Sequence, residues 1–233
     1  MGDIVQDKKG VRMKILVISP HPDDETLGCG GTILKHKNMG DKVHWLIITN
    51  VDVENGWDKD IVDKRQKEID TVAEMYGFEK TFKLNYPTAK LDIIPIQEII
   101  KSMSGIILEI EPEIIYLSNR SDVHTDHQIT FKATCSCTKN FRYPFIRKIL
   151  MYETLSETEF SPSLQENSFI PNVFVDITKY FDEKLEIFKI YKSEVMEGQS
   201  PRSLKVIKAF NKYRGSRIGK EYAESFQLIF ERF

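Results

Sequence analysis

The sequence lacks a long hydrophobic run and an excess of either charge. No apolar stretch reaches the roughly 20 residues that a membrane-spanning helix needs, and the polar segment 1–13 has no apolar signal-peptide core. The 33 basic and 35 acidic side chains give a net charge of −2, which argues against broad electrostatic binding to nucleic acid or anionic membranes. We therefore expect no stable membrane insertion and a small, carbohydrate-like partner.

Cysteine is also scarce. Cys29, Cys135 and Cys137 form an odd set without the Cys-x-x-Cys spacing of metal sites, so we expect a reducing compartment and a cytoplasmic location. No internal repeat or low-complexity tract divides the chain, and 233 residues suffice for one large core. We predict a single domain over 1–233 in which 1–12 is a flexible N-terminus, and the sequence leaves a homo-oligomer open.

Strand-like and helix-like patterns alternate along the chain. Apolar runs and helical periodicity favour two sets of segments. The predicted strands are 14–19, 43–49, 81–84, 113–117, 149–152 and 172–177, and the predicted helices are 32–39, 60–76, 96–110, 126–140, 180–194 and 203–213. Residues 155–171 are typical of a surface loop, and 224–233 fit a closing strand or helix. This order favours a Rossmann-like three-layer α/β/α sandwich with a mostly parallel sheet.

A polar cluster directly follows the first predicted strand. His21, Asp23, Asp24 and Glu25 stand between that strand and a glycine-rich segment, 28–31, that we interpret as a turn. In open α/β sheets, ligands bind at the carboxyl ends of the strands. Adjacent carboxylates in a tight loop raise each other's cost of ionisation, and a bound cation relieves it. The cluster therefore predicts a metal site, with helix capping as the alternative and Glu25 as a supporting or helix-entry carboxylate.

A second cluster, D-V-H-T-D-H at 122–127, follows another apolar strand. His124 and His127 are three residues apart and share a face if a helix begins there. A catalytic zinc commonly has three nitrogen or oxygen ligands and one open position, and His21, Asp24 and a histidine of this cluster supply such a set. The alternative is that Asp122 or Thr125 caps a helix while both histidines face solvent.

Other reactive side chains have structural interpretations. His36 and His44 fall within predicted helices or strands, where no neighbouring residue completes a metal site. Cys29 could approach a metal from its loop, but a small buried thiol that fills the turn is the favoured interpretation. Residues 197–201 fit a mobile connection. Arg202, which follows this connection, could contact the substrate, but an exposed arginine at the entry of a helix is at least as good an interpretation.

The pairing of H-P-D-D-E at 21–25 with H-T-D-H at 124–127 resembles the PIG-L/LmbE-like family of zinc-dependent de-N-acetylases. Arg65-x-x-Glu68 and the segment 222–226 resemble features of its bacterial sugar-deacetylase branch. The resemblance covers nearly the whole chain. It implies a hydrolase that removes acetyl groups from an N-acetylated sugar or glycoconjugate. Zn²⁺ is the implied cofactor, and the same ligands can hold iron or cobalt.

The resemblance also implies a role for each matched residue. The implied zinc ligands are His21, Asp24 and His127. Asp23 is implied as the general base, and His124 as the residue that stabilises the developing oxyanion or protonates the leaving amine. Asp126 would orient or charge His124, and Arg65 would bind the substrate.

Two departures and two rival functions accompany this resemblance. Asp122 stands where some family members carry a mobile tyrosine, and Thr88 falls where relatives often present a carboxylate to the sugar, so the substrate can differ. The glycine-rich segment 28–31 leaves a nucleotide-binding oxidoreductase as a rival, although its spacing is not G-x-G-x-x-G. A non-catalytic carbohydrate-binding relative is the other alternative.

Overall fold

A computed structural model describes residues 12–233 and contains a seven-stranded sheet between two helical layers. The strands are β1 (Lys14–Ser19), β2 (Lys42–Asn50), β3 (Lys80–Pro87), β4 (Ile114–Ser118), β5 (Lys148–Tyr152), β6 (Val173–Asp176) and β7 (Ala223–Glu231). The helices are α1 (Asp24–Asn38), α2 (Lys59–Tyr76), α3 (Ile96–Ile110), α4 (Thr125–Ser136), α5 (Phe181–Phe188) and α6 (Leu204–Ser216). Residues 1–11 of the predicted flexible N-terminus lie outside the described residues.

The sheet has the order β3-β2-β1-β4-β5-β7-β6. The strands from β1 to β5 pair in parallel, and β7 runs antiparallel to both β5 and β6. The predicted sandwich with a mostly parallel sheet is confirmed, and the segment predicted as a closing strand or helix is the strand β7. Because the chain leaves β1 first toward β2 and later returns to β4, a crevice opens beyond the carboxyl ends of β1 and β4.

The central strand β1 is apolar on both faces. Ile15 and Val17 pack with α1, α2, α5 and α6, whereas Leu16 and Ile18 pack with α3 and α4. Successive side chains of a strand point to opposite faces, so a strand covered on both sides is a continuous apolar run. None of the helices in residues 12–233 combines the length and the hydrophobicity that a membrane span requires.

Helix α1 begins eight residues earlier than predicted, and the glycine-rich segment lies inside it. A Cβ on Gly28 would lie 2.2 Å from the Tyr152 ring, and one on Gly31 would lie 2.7 Å from Ile177. The glycines therefore let α1 pack closely against its neighbours, and the predicted turn is wrong. The helix is interrupted only at Cys29, whose φ of −145° is not helical.

A buried ion pair completes the hydrogen bonding at this break. Lys184 Nζ donates to the Leu27 carbonyl oxygen at 2.9 Å and to Glu224 at 2.7 Å. The Glu224 carboxylate accepts from the backbone N–H groups of Gly31 at 2.9 Å and Thr32 at 2.7 Å. Groups that a helix break would leave unpaired thus have partners. The Lys184–Glu224 ion pair therefore stabilises the break in α1, and the turn of α1 that precedes this break lies at the crevice.

Two predicted helices are shorter in the structure. Helix α4 ends at Ser136 and α5 ends at Phe188. After α5 the chain forms turns in which buried Tyr191 donates to Glu25 at 2.8 Å. This contact with α1 depends on tertiary structure, and helical periodicity contains no signal for it.

Candidate metal centre and active site

Three predicted ligands converge beyond the ends of β1 and β4. His21 follows β1, Asp24 is the first residue of α1, and His127 lies in the first turn of α4. Asp24 Oδ2 is 3.3 Å from His127 Nε2 and 3.6 Å from His21 Nδ1, and these two ring nitrogens are 3.3 Å apart. A tetrahedral Zn²⁺ with ligand distances of about 2.0–2.2 Å separates its ligand atoms by about 3.3–3.6 Å. The three atoms are therefore spaced to share one cation.

The second carboxylate oxygen of Asp24 supports the same interpretation. Among residues 12–233, Asp24 Oδ1 is buried and has no hydrogen-bond partner. Burial acts to raise the pKa of Asp24, but the facing His127 and His21 hold it below its usual range. A buried, ionised oxygen without a partner is costly. A cation at this position would remove that cost.

A carboxylate behind each histidine orients its ring. His127 Nδ1 is 2.8 Å from Asp122 Oδ2, and His21 Nε2 is 3.0 Å from Asp126 Oδ2. Each contact leaves the other ring nitrogen facing Asp24. Carboxylate partners of this kind commonly fix the tautomer and the orientation of metal-binding histidines. Asp122, which the sequence presented only as a departure from the family or a helix cap, is thus part of the centre.

Asp126 contacts a different histidine from the one that the resemblance implies. Its Oδ2 atom is 4.0 Å from His124 Nδ1, whereas it accepts the Ala89 N–H at 2.7 Å in addition to contacting His21. Its Oδ1 atom accepts the Leu91 N–H at 3.1 Å. Asp126 therefore joins His21 to the connection that follows β3.

His124 caps α4, a role that the sequence assigned to a neighbouring aspartate or threonine. Its Nδ1 accepts the Asp126 backbone N–H at 3.1 Å. Because an accepting nitrogen carries no proton, the ring proton is on Nε2. Burial and the neighbouring His21 lower the pKa of His124 to about 4. The residue is thus a neutral imidazole that can donate a hydrogen bond from Nε2.

Asp23 lies beside the three ligands in an unusual backbone conformation. Its φ is 127°, a region that costs a non-glycine residue on the order of 1–3 kcal/mol. Its N–H donates to Glu25 at 3.0 Å, and its carboxylate accepts from Arg202 at 2.8 Å. Burial raises the pKa of Asp23, and the Arg202 guanidinium opposes that shift. Such strained residues are commonly found at functional sites.

Arg202 belongs to the site, which corrects its interpretation as an exposed helix-entry residue. Its side chain is only 12% exposed. Besides Asp23, it contacts Glu194 at 2.8 Å and Ser156 at 2.7 Å. The contact with Asp23 joins residues 179 positions apart in the chain, so no local pattern could reveal it.

Glu25 is buried beneath the centre. It accepts from the hydroxyl groups of Thr26 at 2.6 Å and Tyr191 at 2.8 Å. Burial raises the pKa of Glu25 to about 7. Its contact with the Asp23 N–H makes it a supporting carboxylate, one of the two roles considered for it.

A cavity of about 420 Å³ opens onto Asp23, His21 and His124. Arg65, the predicted substrate residue, lies in its wall, where it forms an ion pair with Glu194. Arg65 also donates to the Pro22 carbonyl oxygen at 3.3 Å and to Ser193 at 3.0 Å. Of the three candidate metal ligands, His21 therefore faces a space that can admit a small molecule.

Comparison with known proteins identifies the family. Residues 16–138, more than half of the chain, match the model of the PIG-L family, described as GlcNAc-PI de-N-acetylase. The chain belongs to this family. The uncharacterized deacetylase YaiS of Escherichia coli is 28% identical over 188 residues, covering 78% of this chain and 92% of that relative. The diacetylchitobiose deacetylase of Thermococcus kodakarensis is 25% identical over 232 residues, covering 93% and 83%.

A solved structure shares the fold of this PIG-L chain. The conserved protein TT1542 of Thermus thermophilus superposes with a TM-score of 0.75 at 23% identity, covering 95% of this chain and 96% of that one. The predicted family and the predicted N-acetyl-sugar deacetylase class are confirmed by the family match and by the similarity to the diacetylchitobiose deacetylase. The rival nucleotide-binding oxidoreductase is not favoured, because the glycines of α1 pack against side chains and do not form a phosphate loop.

The remaining candidates in this PIG-L protein are structural. His36 contacts Asp41 at 2.7 Å and the Tyr116 hydroxyl at 2.9 Å in the core. His44 lies in β2, outside the two groups of candidate metal ligands found among residues 12–233. These groups are His21, Asp24 and His127, and His21, His124 and Asp126. Cys29 is buried at the break in α1, and burial raises the pKa of its thiol.

Proposed function

We propose that this PIG-L protein is a zinc-dependent deacetylase of N-acetylated sugars or glycoconjugates whose metal ligands are His21, Asp24 and His127. The observation that carries the proposal is the position of Asp24 Oδ2, 3.3 Å and 3.6 Å from the facing ring nitrogens of His127 and His21, while Oδ1 of the same carboxylate is buried without a hydrogen-bond partner. Two nitrogens and one carboxylate leave a coordination position open, as in catalytic zinc sites. Iron and cobalt accept the same ligands.

When bound, zinc would polarise the acetyl carbonyl and lower the pKa of water. Asp23 is the base that accepts a proton from the attacking water, whose oxygen bonds to the acetyl carbon. His124 donates from Nε2 to the developing oxyanion, since its Nδ1 already accepts the Asp126 N–H. Asp23 then returns the proton to the amine nitrogen as the C–N bond breaks, which releases acetate and the amino sugar.

The wall of the cavity positions the base and the substrate. Arg202 holds the Asp23 carboxylate, and Glu194 joins Arg202 to Arg65. This network orders groups contributed by distant segments of the chain before substrate binds. We propose Arg65 as a residue that contacts the sugar. The cytoplasmic location rests on three free cysteines, and it remains a prediction, as does the homo-oligomer.

The test is acetate release by metal-stripped and zinc-reloaded protein from a panel of N-acetylhexosamines and their conjugates. Chelation should abolish turnover, and zinc should restore it. Asp23→Asn should reduce turnover by about 10²–10⁴-fold while binding one zinc per chain, whereas His21→Ala should lose the metal. The matched control is Asp182→Asn, at an exposed position of α5. Full activity in either site variant would contradict the assignment.

A further inference from the structure

The connection between β2 and α2 presents apolar side chains to solvent beside the catalytic cavity. Val53, Trp57 and Ile61 are 52%, 41% and 45% exposed. Trp57 and Ile61 line the same cavity as His21 and Asp23. Grouped apolar side chains at a polar-rimmed groove are typical of ligand-binding surfaces. This surface is unused in the deacetylation chemistry described above.

The chain's other tryptophan, Trp45, differs from Trp57 because it is part of the hydrophobic core. Trp45 is fully buried in β2, and its indole N–H donates to Ser19 at 3.0 Å. Trp57 instead leaves two-fifths of its surface exposed at the mouth of the cavity. Its large apolar area is therefore available to a ligand.

Trp57 is held in place by its own connection. The Asp52 carboxylate accepts the Glu54 N–H at 2.8 Å, and the Asp52 carbonyl oxygen accepts the Asn55 N–H at 3.1 Å and the Trp57 N–H at 3.3 Å. Gly56, at φ 90°, makes the turn that this arrangement requires. A side chain on an ordered turn binds with a smaller entropic cost than one on a flexible loop.

The polar part of the cavity suits an uncharged ligand. Asn50 and Thr88 contribute amide and hydroxyl groups at the ends of β2 and β3. Arg65 and Arg202 are both paired with Glu194. Lys64 also lines the cavity but is exposed, where its charge is screened by salt. The wall thus matches sugar hydroxyl groups better than it matches a carboxylate or phosphate.

We infer that Trp57 and Ile61 form a stacking subsite for a second ring linked to the N-acetyl sugar, so that the preferred substrate is an uncharged N-acetylhexosamine glycoside. The inference rests on the proposed function, which places the acetamide beside His21 and Asp23. One face of a pyranose ring carries mainly C–H groups, and burying it against an indole removes apolar surface from water. This inference requires that a free monosaccharide held at the metal leaves Trp57 uncovered, whereas a disaccharide covers it.

Fluorescence tests the subsite without turnover. The chain has two tryptophans, and only exposed Trp57 should be readily quenched by acrylamide. In zinc-loaded Asp23→Asn protein, N,N′-diacetylchitobiose should protect this emission from acrylamide, and N-acetylglucosamine at equal occupancy should protect it much less. The same protein carrying Trp57→Phe should show no response. Equal protection by both sugars, or a response that persists without Trp57, would overturn the inference.

Kinetics separates this inference from the proposed function. Trp57→Ala should raise KM for the disaccharide by roughly three- to tenfold and change KM for the monosaccharide less than twofold, while Trp57→Phe should restore most of the affinity. Phe141→Ala, at an aromatic position that is 77% exposed elsewhere, should change neither. No acetate release by wild-type protein from any sugar counts against the proposed function. Release that is indifferent to Trp57, or preference for an anionic glycoside, overturns only the subsite.

Discussion

The candidate metal centre and the wall of the neighbouring cavity differ in burial and in the segments that build them. At the candidate centre, His127 and Asp24 are fully buried, and each of the two candidate histidine ligands has its own carboxylate partner. In the wall, Trp57 and Arg202 come from connections that precede α2 and α6, and Trp57 is substantially exposed. Under the proposed function, the reaction therefore depends on a mostly buried set of groups, whereas the choice of substrate depends on the more exposed wall of the cavity.

The largest effect should follow a change in the centre itself. Asp24→Asn removes the charge that faces His21 and His127, so we expect loss of bound zinc and acetate release at background. Zinc content after dialysis and the acetate assay measure both. Zinc binding at wild-type affinity in this variant would show that Asp24 is not a ligand. The candidate centre could then no longer be distinguished from the wall by its metal binding.

The next largest effect, on the free energy of unfolding, should come from the buried Lys184–Glu224 ion pair at the break in α1. Lys184→Met leaves Glu224 buried without its cation at the break in α1, which should lower the free energy of unfolding by about 3–5 kcal/mol. Urea unfolding measures this change. Lys184→Met combined with Glu224→Gln should recover part of the loss, because no unpaired charge then remains buried. Unchanged stability in the single variant would contradict this account of the break.

A smaller effect should come from the carboxylates behind the histidines. Asp122→Asn and Asp126→Asn should each weaken zinc binding by about 10- to 100-fold, measured by competition with a chelator. The Asp126 variant also distinguishes two roles. Weaker zinc binding indicates that Asp126 acts through His21, whereas unchanged zinc binding with slower turnover would support the role of orienting His124.

The smallest of these effects should come from the wall. Arg202→Ala removes the hydrogen bond that holds Asp23, so we expect turnover to fall roughly tenfold while zinc affinity stays at the wild-type value. Zinc titration and the acetate assay on one protein preparation measure whether turnover falls while zinc affinity is unchanged. Loss of zinc together with activity would show that Arg202 supports the metal centre and that the two regions are not separable.

The centre was largely predictable because its parts are local. The H-P-D-D-E and H-T-D-H segments follow apolar strands, and parallel strands bring their carboxyl ends to one edge of the sheet. The histidines and carboxylates of the two clusters accordingly meet. Their individual roles in catalysis remain predictions, and Asp126 is the residue whose partner differs from the one that the resemblance implies.

The alternating strands and helices, the crevice and the residue types that reach it are predictable from sequence, because periodicity and motif order act over a few residues. Three features became visible only in the folded chain: the glycine-rich segment continues α1 against Tyr152, Arg202 reaches Asp23, and Trp57 faces the cavity. Each depends on packing between segments distant in the chain. No local propensity encodes which distant surface a side chain will meet.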